Sequence, residues 1–341
     1  MKILITGGCG FVGSNIASFL KKNFKKANIW SLDNLSRRGS KINQSRLKKL
    51  KIKNFKININ DYNKIKILPK FNLIIDCCAE PAIETSKKDP DLVFKTNLVG
   101  TFNILKKSVK DKSNLIFLSS SRVYSIKNLR DLVKNENLDK SIRTKKVIGE
   151  AFPTSEASSL YGFTKLSSEK LIREFFYQSK QKYLINRFGV IAGPWQFGKQ
   201  DQGFVPLWVA KHLYKKKLSY IGFGGRGYQI RDVIHIDDVC NIILLQIKKF
   251  EKIYNETFNI GGGIQNVISL KNLTDVCEKL TNNFLKIKGI KKTSEYDIPY
   301  YVTDNSKIKR AYNWVPKKNI NIIVKDIYLW LINNKKLKNY F

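Results

Sequence analysis

The chain has 341 residues and a net charge of +36 at pH 7, with 63 Lys and Arg against 27 Asp and Glu. This length predicts one large domain with a smaller lobe, and a hydrophobic content of 43% suffices for a sizeable core. Lysine outnumbers arginine 52 to 11, whereas bidentate recognition of phosphates and bases favours arginine. We therefore place the lysines on solvated faces and do not expect a nucleic-acid partner.

The sequence lacks the features of secreted, membrane, disulfide-linked and metal-binding proteins. Met1 almost directly precedes the first strand, and no apolar run reaches membrane-spanning length, so we expect a cytoplasmic protein without signal peptide or membrane segment. The five cysteines form no C-x-x-C pair and predict free thiols. With only His212 and His235 as histidines, the sequence predicts no metal site.

Strand-like and helix-like segments alternate through the first half of the chain. The predicted strands are 2–6, 28–32, 54–59, 72–77, 114–119 and 183–190, and the clearest predicted helices are 11–24, 90–110 and 160–180. This alternation predicts an α/β fold with a doubly wound parallel sheet of the Rossmann type.

The alternation loosens after residue 186. We expect a nucleotide-binding domain over residues 1–186, to which 230–260 returns, and a smaller C-terminal substrate lobe over 187–341. The polar stretch 125–153 predicts a long loop, and loops of that length are often functional.

A glycine-rich turn follows the first strand directly, with Gly7, Gly10 and Gly13 spaced three residues apart. The first glycine permits a tight turn, the second lets a pyrophosphate approach the backbone, and the third allows close packing of helix and strand. The helix that follows presents free N–H groups and a partial positive charge. This pattern predicts a dinucleotide site.

Asp33 ends the second predicted strand. A carboxylate there accepts hydrogen bonds from the adenosine ribose and repels a 2′-phosphate, which favours NAD over NADP. Arg37 and Arg38 follow closely and weaken that preference.

Tyr161 and Lys165 are four residues apart and therefore share one face of a predicted helix. Tyr62 and Lys66 have the same spacing, but only Tyr161 follows a strand that ends in a serine run, Ser119–Ser121. We therefore assign Tyr161 and Lys165 to catalysis and treat the spacing of the earlier pair as coincidence.

The chemistry explains why these residue types occur together. A free tyrosine has a pKa near 10, and lowering it to about 7 takes roughly 4 kcal/mol of differential stabilisation. The charges of Lys165 and of the nicotinamide both favour the phenolate, and Ser120 holds the reacting oxygen against Tyr161.

Together these residues resemble the extended short-chain dehydrogenase/reductases that act on nucleotide sugars. The resemblance extends to the N-x-x-G-T segment at 97–101, the R-D-x-I-H segment at 231–235 and W-x-P at 314–316. It implies NAD as cofactor, a nucleotide-sugar substrate, and a homodimer or larger homo-oligomer formed through helices matching 90–110 and 160–180.

The resemblance also implies roles for individual residues. It assigns to NAD the residues Gly7, Gly10, Phe11, Val12, Gly13, Asp33, Asn34, Asp61, Tyr62, Cys78, Ala79, Asn97, Ser119, Tyr161 and Lys165, with Asp61 placed at the adenine. It assigns to the substrate the residues Arg122, Asn186, Gln196, Asp201, Gln202, Arg231 and Asp297, with Arg231 on the diphosphate.

Within the family, the chain resembles the CDP-paratose 2-epimerases, through segments 6–11 and 33–37 and the D-Q-G block at 201–203. This favours a CDP-hexose substrate and an isomerase that inverts C2 through transient oxidation to a keto sugar. The chain departs from related epimerases at Thr293, Ser294 and Glu295, where an arginine often binds phosphate.

Several other activities are alternatives. A UDP-sugar 4-epimerase would use the same chemistry at C4. A 4,6-dehydratase would carry an Asp-Glu pair where this chain has Ser121 and Arg122. Two further alternatives are an oxidoreductase that releases an oxidised or reduced product and a non-catalytic protein that binds a nucleotide or RNA.

Overall fold

The computed structural model describes residues 1–134, 146–199 and 202–341. The chain divides into two compact units. The first comprises Met1–Val123, Ser159–Arg187 and Val239–Phe258, and the second Tyr124–Ser158, Phe188–Asp238 and Asn259–Phe341. The segment 124–158, which we expected within the nucleotide-binding domain 1–186, thus belongs to the second unit.

The strands and helices alternate along the first half of the chain. The strands are β1 Lys2–Thr6, β2 Asn28–Leu32, β3 Lys53–Phe55, β4 Leu73–Asp76, β5 Asn114–Ser120, β6 Tyr183–Phe188, β7 Val190–Ala192, β8 Ser219–Ile221, β9 Ile230–His235, β10 Glu256–Ile260, β11 Val267–Ser269, β12 Lys288–Ile290 and β13 Tyr300–Tyr301. The α-helices are α1 Phe11–Asn23, α2 Ser40–Lys49, α3 Tyr62–Lys66, α4 Ile83–Lys88, α5 Pro90–Phe94, α6 Gly100–Asp111, α7 Ile126–Asp131, α8 Leu160–Tyr177, α9 Phe204–Leu213, α10 Ile236–Lys249, α11 Leu270–Thr281, α12 Ser306–Tyr312 and α13 Ile320–Ile332.

The central sheet has the strand order β3-β2-β1-β4-β5-β6-β10, seven strands in the described residues. The pairs β1–β2, β1–β4, β2–β3 and β4–β5 are parallel. The first six strands follow the Rossmann order, in which the chain crosses back at β1 and β4. Apolar side chains of the inner strands are fully buried, as at Ile3–Ile5 and at Ile74 and Ile75. The predicted Rossmann-type fold is confirmed.

The helix predicted over 90–110 is divided in the structure. Asp89 caps its start by accepting a hydrogen bond from the Leu92 N–H at 2.9 Å, and Pro90 occupies the first turn. A π-helical turn over Lys95–Val99 then separates α5 from α6. Such turns often mark functional positions in a helix.

The second unit contains smaller sheets, β11-β9-β13 with β7 paired to β9, and the pair β12–β8. The start of segment 124–158 is fixed within this unit, since the Ser125 N–H donates to the Pro153 carbonyl at 3.0 Å. Arg130 of α7 donates to the carbonyls of Ser294, Glu295 and Asp297 at 2.9–3.2 Å. These bonds explain why the segment packs with the later part of the chain. None of the described helices is long and apolar enough to cross a membrane.

Candidate active site

The glycine turn between β1 and α1 leaves no room for side chains. Gly7 has a φ of 58°, in the left-handed region that favours glycine. A Cβ on Gly13 would lie 2.4 Å from the Gly7 carbonyl oxygen, and the Gly10 N–H donates to that same oxygen at 2.9 Å. Phe11 and Val12 open α1. The turn therefore presents bare backbone and a helix N-terminus, which suits a pyrophosphate.

Asp33 lies just beyond β2, beside this turn. Its carboxylate accepts hydrogen bonds from the Cys9 N–H at 3.0 Å and the Leu35 N–H at 2.8 Å. Burial raises the pKa of Asp33, while these backbone bonds and Arg37 oppose the rise. Arg37 forms an ion pair with Glu80 at 2.9 Å, so its charge is balanced within the protein. The acid and the glycine turn together fit the ribose and pyrophosphate of NAD.

We expect Asp33→Ala to lower the NAD-to-NADP preference by about 10- to 100-fold, since a charged hydrogen bond contributes about 1.5–3 kcal/mol. Both cofactors should bind more weakly, because the Cys9 N–H loses its acceptor, so the ratio of the two dissociation constants is the informative quantity. Asp91→Ala, which removes an acid exposed at 82% of its side chain, is the charge control. An unchanged ratio in Asp33→Ala would refute the ribose role.

Tyr161 lies in the first turn of α8 and is 9% exposed. The Ser159 hydroxyl caps this helix by accepting from the Gly162 N–H at 3.1 Å. Ser120 ends β5, and its hydroxyl oxygen accepts from the Arg122 N–H at 3.1 Å. Burial raises the pKa of Tyr161, while the hydrogen bond with Ser120 and then the charge of Arg122 lower it. The structure thus brings the predicted serine and tyrosine together.

Lys165 lies one turn further along α8 and is 1% exposed. Its ammonium is 3.9 Å from the centroid of the Phe117 ring. Burial lowers the pKa of Lys165, and Asp76 is the largest influence that raises it. Lys165 is predicted from its spacing to Tyr161 to favour the Tyr161 phenolate. In the structure the cations that lower the pKa of Tyr161 include Arg122 and Arg37.

A buried ion pair supports the end of β5. The Arg187 guanidinium donates to both oxygens of Glu169, with Nη2 to Oε2 at 2.7 Å, and the Ser119 hydroxyl donates to Oε1 of the same carboxylate at 2.6 Å. Ser119, which the resemblance assigns to NAD, thus donates its hydroxyl proton to Glu169, and its contact with the cofactor stays a prediction. The network fixes the strand that carries Ser120 against α8.

Asn97, also predicted to contact the cofactor, lies within the π-helical turn. It is 1% exposed, and its amide accepts from the Glu80 N–H at 2.8 Å and donates to the Glu80 carbonyl and the Thr164 hydroxyl. These bonds use both ends of the amide. Asn97 therefore holds Glu80 and α8 in place.

The other residues assigned to NAD are spread over the carboxyl ends of the strands and the loops beyond. Asp61 caps α3 and forms an exposed ion pair with Lys64 at 2.9 Å, and Tyr62 lies under the Lys106 ammonium. Asn34 accepts from the Ser36 N–H at 3.1 Å. Cys78 and Ala79 follow β4 and are partly buried.

The prediction for Asn186 is corrected by the structure. Asn186 is fully buried in β6 of the first unit, and it exchanges two hydrogen bonds of 2.8 Å with Gln246. Both ends of its amide are used within the core, so Asn186 stabilises the fold and is not available to a substrate.

Four of the remaining residues predicted to bind substrate lie in the second unit, namely Gln196, Gln202, Arg231 and Asp297, whereas Arg122 lies in the first. Arg231 donates to the Ile230 and Ile298 carbonyls at 2.6 Å, and Asp297 precedes Ile298. Gln196 donates to the Ile191 carbonyl at 3.3 Å, and Gln202 pairs with Lys199. Asp201 lies outside the described residues.

Sequence reasoning missed Asp76, Glu80 and Glu169. Asp76 follows an apolar run, as Asp33 does, and an acid at a strand end was a usable signal. Glu169 is four residues after Lys165, which places it on the same helix face. Nothing in the sequence indicates that Glu80 pairs with Arg37. In the residues that the structure describes, no three His, Cys, Asp or Glu side chains cluster as metal ligands.

Comparison with known proteins establishes the family. Residues 3–261 match the model of the NAD dependent epimerase/dehydratase family, and the chain belongs to that family. NAD is its cofactor, which confirms the prediction.

Relatives in this family cover nearly the whole chain. CDP-paratose 2-epimerase of Salmonella typhi is 30% identical, over 97% of this chain and 99% of that protein. dTDP-glucose 4,6-dehydratase of Salmonella typhimurium is 26% identical, over 99% and 95%. The solved UDP-glucose 4-epimerase of Thermotoga maritima shares the fold, with a TM-score of 0.80, 24% identity and coverage of 98% and 100%.

Proposed function

We propose that this protein is a nucleotide-sugar epimerase that inverts one sugar carbon through a keto intermediate. The observation that carries the proposal is the position of Tyr161, buried, hydrogen-bonded to Ser120 and subject to the positive charge of Arg122. Burial raises the pKa of this phenol, so removal of a hydroxyl proton, the step that accompanies oxidation of a sugar alcohol, depends on the opposing effects of Ser120 and Arg122.

The chain's own residues would perform the proton transfers. Tyr161 removes the proton from the sugar hydroxyl and returns it when the carbonyl is reduced. Ser120 holds the reacting oxygen, and the charges of Lys165 and Arg122 stabilise the phenolate. NAD, when bound, supplies the hydride acceptor for the oxidation and the hydride donor for the reduction. Net redox is zero, so no second redox substrate is required.

For the substrate we propose a CDP-hexose inverted at C2. This rests on the 30% identical CDP-paratose 2-epimerase and on the D-Q-G block at 201–203. We assign Arg231 of the second unit to the diphosphate of this substrate. Related epimerases often carry a phosphate-binding arginine shortly before the position of Asp297. This chain lacks that arginine, and Arg130 instead donates a hydrogen bond to the Asp297 carbonyl and orders the loop.

A dehydratase is the nearest rival, because a 26% identical relative has that activity. Elimination of water needs an acid and a base beside the reacting carbons. Ser121 and Arg122 stand where dehydratases carry an acidic pair, and a guanidinium does not exchange its proton at neutral pH. The residue types therefore favour epimerisation.

The role of Arg122 predicts a pH effect. Without its charge the pKa of Tyr161 rises, so the acidic limb of the kcat profile of Arg122→Met should move to higher pH by about one unit. Arg310→Met removes an exposed charge from α12 in the second unit and should leave the profile unchanged. A wild-type profile in Arg122→Met would remove Arg122 from activation of Tyr161.

The function is tested by incubating the purified protein with CDP-, UDP-, GDP- and dTDP-sugars in deuterated water and following each by proton NMR. Inversion of a CDP-sugar at C2 without deuterium incorporation is the expected result. Inversion at C4 of another nucleotide sugar would keep the mechanism and replace the substrate. Deuterium in the ring or at C6 would indicate enolisation or dehydration and overturn the proposal.

We also propose that the protein forms a homodimer through α5, α6 and α8. These helices expose large apolar side chains, at Leu92, Phe102, Val109 and Phe163. Exposed apolar side chains on adjoining helices suit a helix–helix interface. Light scattering should give twice the monomer mass, and a monomer would contradict the proposal.

A further inference from the structure

Asp76 carries a buried carboxylate that the proton transfers described above do not use. It ends β4 and is fully buried. The backbone register aligns Asp76 with Thr6 of β1 on one side and with Phe117 of β5 on the other. Side chains in register on neighbouring parallel strands point to the same face of a sheet. Thr6, Asp76 and Phe117 therefore form one row on a single face.

Hydrogen bonds orient the Asp76 carboxylate and leave its Oδ2 able to accept a further hydrogen bond. The Thr6 hydroxyl and the Cys78 N–H donate to Oδ1. The Thr101 hydroxyl lies 3.4 Å from Oδ2, but it also lies 2.7 Å from the Asn97 carbonyl. A hydroxyl has one proton, and the shorter bond takes it. Oδ2 therefore retains capacity to accept.

Lys165 reaches the same row from α8. Its ammonium lies over the ring of Phe117, the register partner of Asp76. The other ionisable groups that act on Lys165 are Glu169 and the thiols of Cys77 and Cys78. Glu169 is neutralised by Arg187, and burial raises the pKa of both thiols, so they stay uncharged. Asp76 is then the carboxylate available to balance Lys165.

We propose that Asp76 is a positioning residue that keeps the Lys165 ammonium charged and fixed over Phe117. A buried ammonium without a counter-charge readily loses its proton. A carboxylate buried beside it favours the charged form of both groups. The inference rests on the proposed function only for the claim that this charge serves catalysis.

Asp76→Asn tests the pair, and Asp111→Asn is a matched control. Asp111 also pairs with a buried lysine of the first unit, Lys107, at 2.9 Å, and both side chains are 1% exposed. We expect the basic limb of the kcat profile to move to lower pH in Asp76→Asn, with kcat reduced about tenfold at neutral pH. Asp111→Asn should lose stability but keep the wild-type pH profile of activity.

A readout independent of activity comes from unfolding at several pH values. In Asp76→Asn, Lys165 is neutral in the folded protein but protonated in the unfolded chain below its ordinary pKa of 10.5. The unfolded state then binds one more proton, so stability relative to wild type rises with pH, by up to about tenfold in the unfolding constant per unit. The double variant with Lys165→Met should abolish this extra slope. An unchanged slope in Asp76→Asn would overturn the proposal.

If Asp76→Asn does not fold, the single variant Lys165→Met tests the same pairing of Asp76 and Lys165. Burial raises the pKa of Asp76, and the charge of Lys165 opposes this rise. With the ammonium gone, the pKa of Asp76 rises further, and the folded state retains a proton that the unfolded chain has lost. Stability relative to wild type should therefore fall as pH rises above about 4. No such fall would overturn the pairing. Full turnover by Lys165→Met would instead refute the catalytic role of Lys165 and leave the pairing result standing.

Discussion

Tyr161→Phe is expected to lower kcat by about 10²- to 10⁴-fold, the usual contribution of a positioned acid or base, and to leave NAD bound. The change removes only the hydroxyl, so the buried ring of Tyr161 keeps its packing on α8. Ser120 loses its hydrogen bond with Tyr161 but keeps the one from the Arg122 N–H, and the glycine turn and Asp33 are unaltered. The measurement pairs turnover of the nucleotide sugar with titration of NAD binding.

Tyr183→Phe is the matched control for this substitution. Tyr183 belongs to the same unit, is equally exposed at 9%, and packs against Phe176 away from Ser120. It should keep normal turnover. Normal turnover by Tyr161→Phe as well would remove Tyr161 from the mechanism, whereas loss of NAD binding would indicate a structural role.

Gly13→Ala is expected to weaken NAD binding by about 10- to 100-fold. The added Cβ would lie 2.4 Å from the Gly7 carbonyl oxygen and 2.8 Å from the Gly8 Cα. Both are backbone atoms of the turn, so the clash is relieved only by moving the turn away from α1. Overpacking of this kind costs about 1–3 kcal/mol, and here the displaced segment is the one assigned to the pyrophosphate. Calorimetric titration with NAD measures the loss.

Gly149→Ala shows whether the effect is local to the turn. A Cβ on Gly149 would meet its nearest atom, Oδ2 of Asp304, at 3.6 Å, which is an ordinary contact. This variant should bind NAD as the wild type does. Equal binding by Gly13→Ala and Gly149→Ala would exclude the glycine turn as the pyrophosphate site.

The sheet was predictable from sequence because buried parallel strands are continuous apolar runs bounded by turns. The predicted strands 2–6 and 28–32 coincide with β1 and β2. The start of α5 was also predictable, because its two signals, the capping residue Asp89 and the first-turn residue Pro90, are adjacent in the sequence. The π-helical turn over Lys95–Val99 was not predicted, because such turns are rare and occupy a single turn within a longer helix.

Asn186, a polar residue of the core, was assigned to the substrate in error. It stands in a strand that leads to the carboxyl edge of the sheet, which suggests a ligand contact, but its partner Gln246 is 60 residues further along. Ser119 also has a distant partner, since its acceptor Glu169 is 50 residues away. A single sequence does not contain the pairing of distant polar groups, so it does not separate a satisfied core amide from a binding one.

The hydrogen bonds from Arg130 to three backbone carbonyls couple the opening of α7 to the opening of the loop at 294–297. One guanidinium ties α7 to the loop at 294–297, so neither stretch opens without breaking hydrogen bonds of the other. Local opening in proteins occurs in cooperative units, and these two stretches should exchange their amide hydrogens as one. The stability of α7 thereby controls how often the loop at 294–297 opens, although the two are more than 160 residues apart in the sequence.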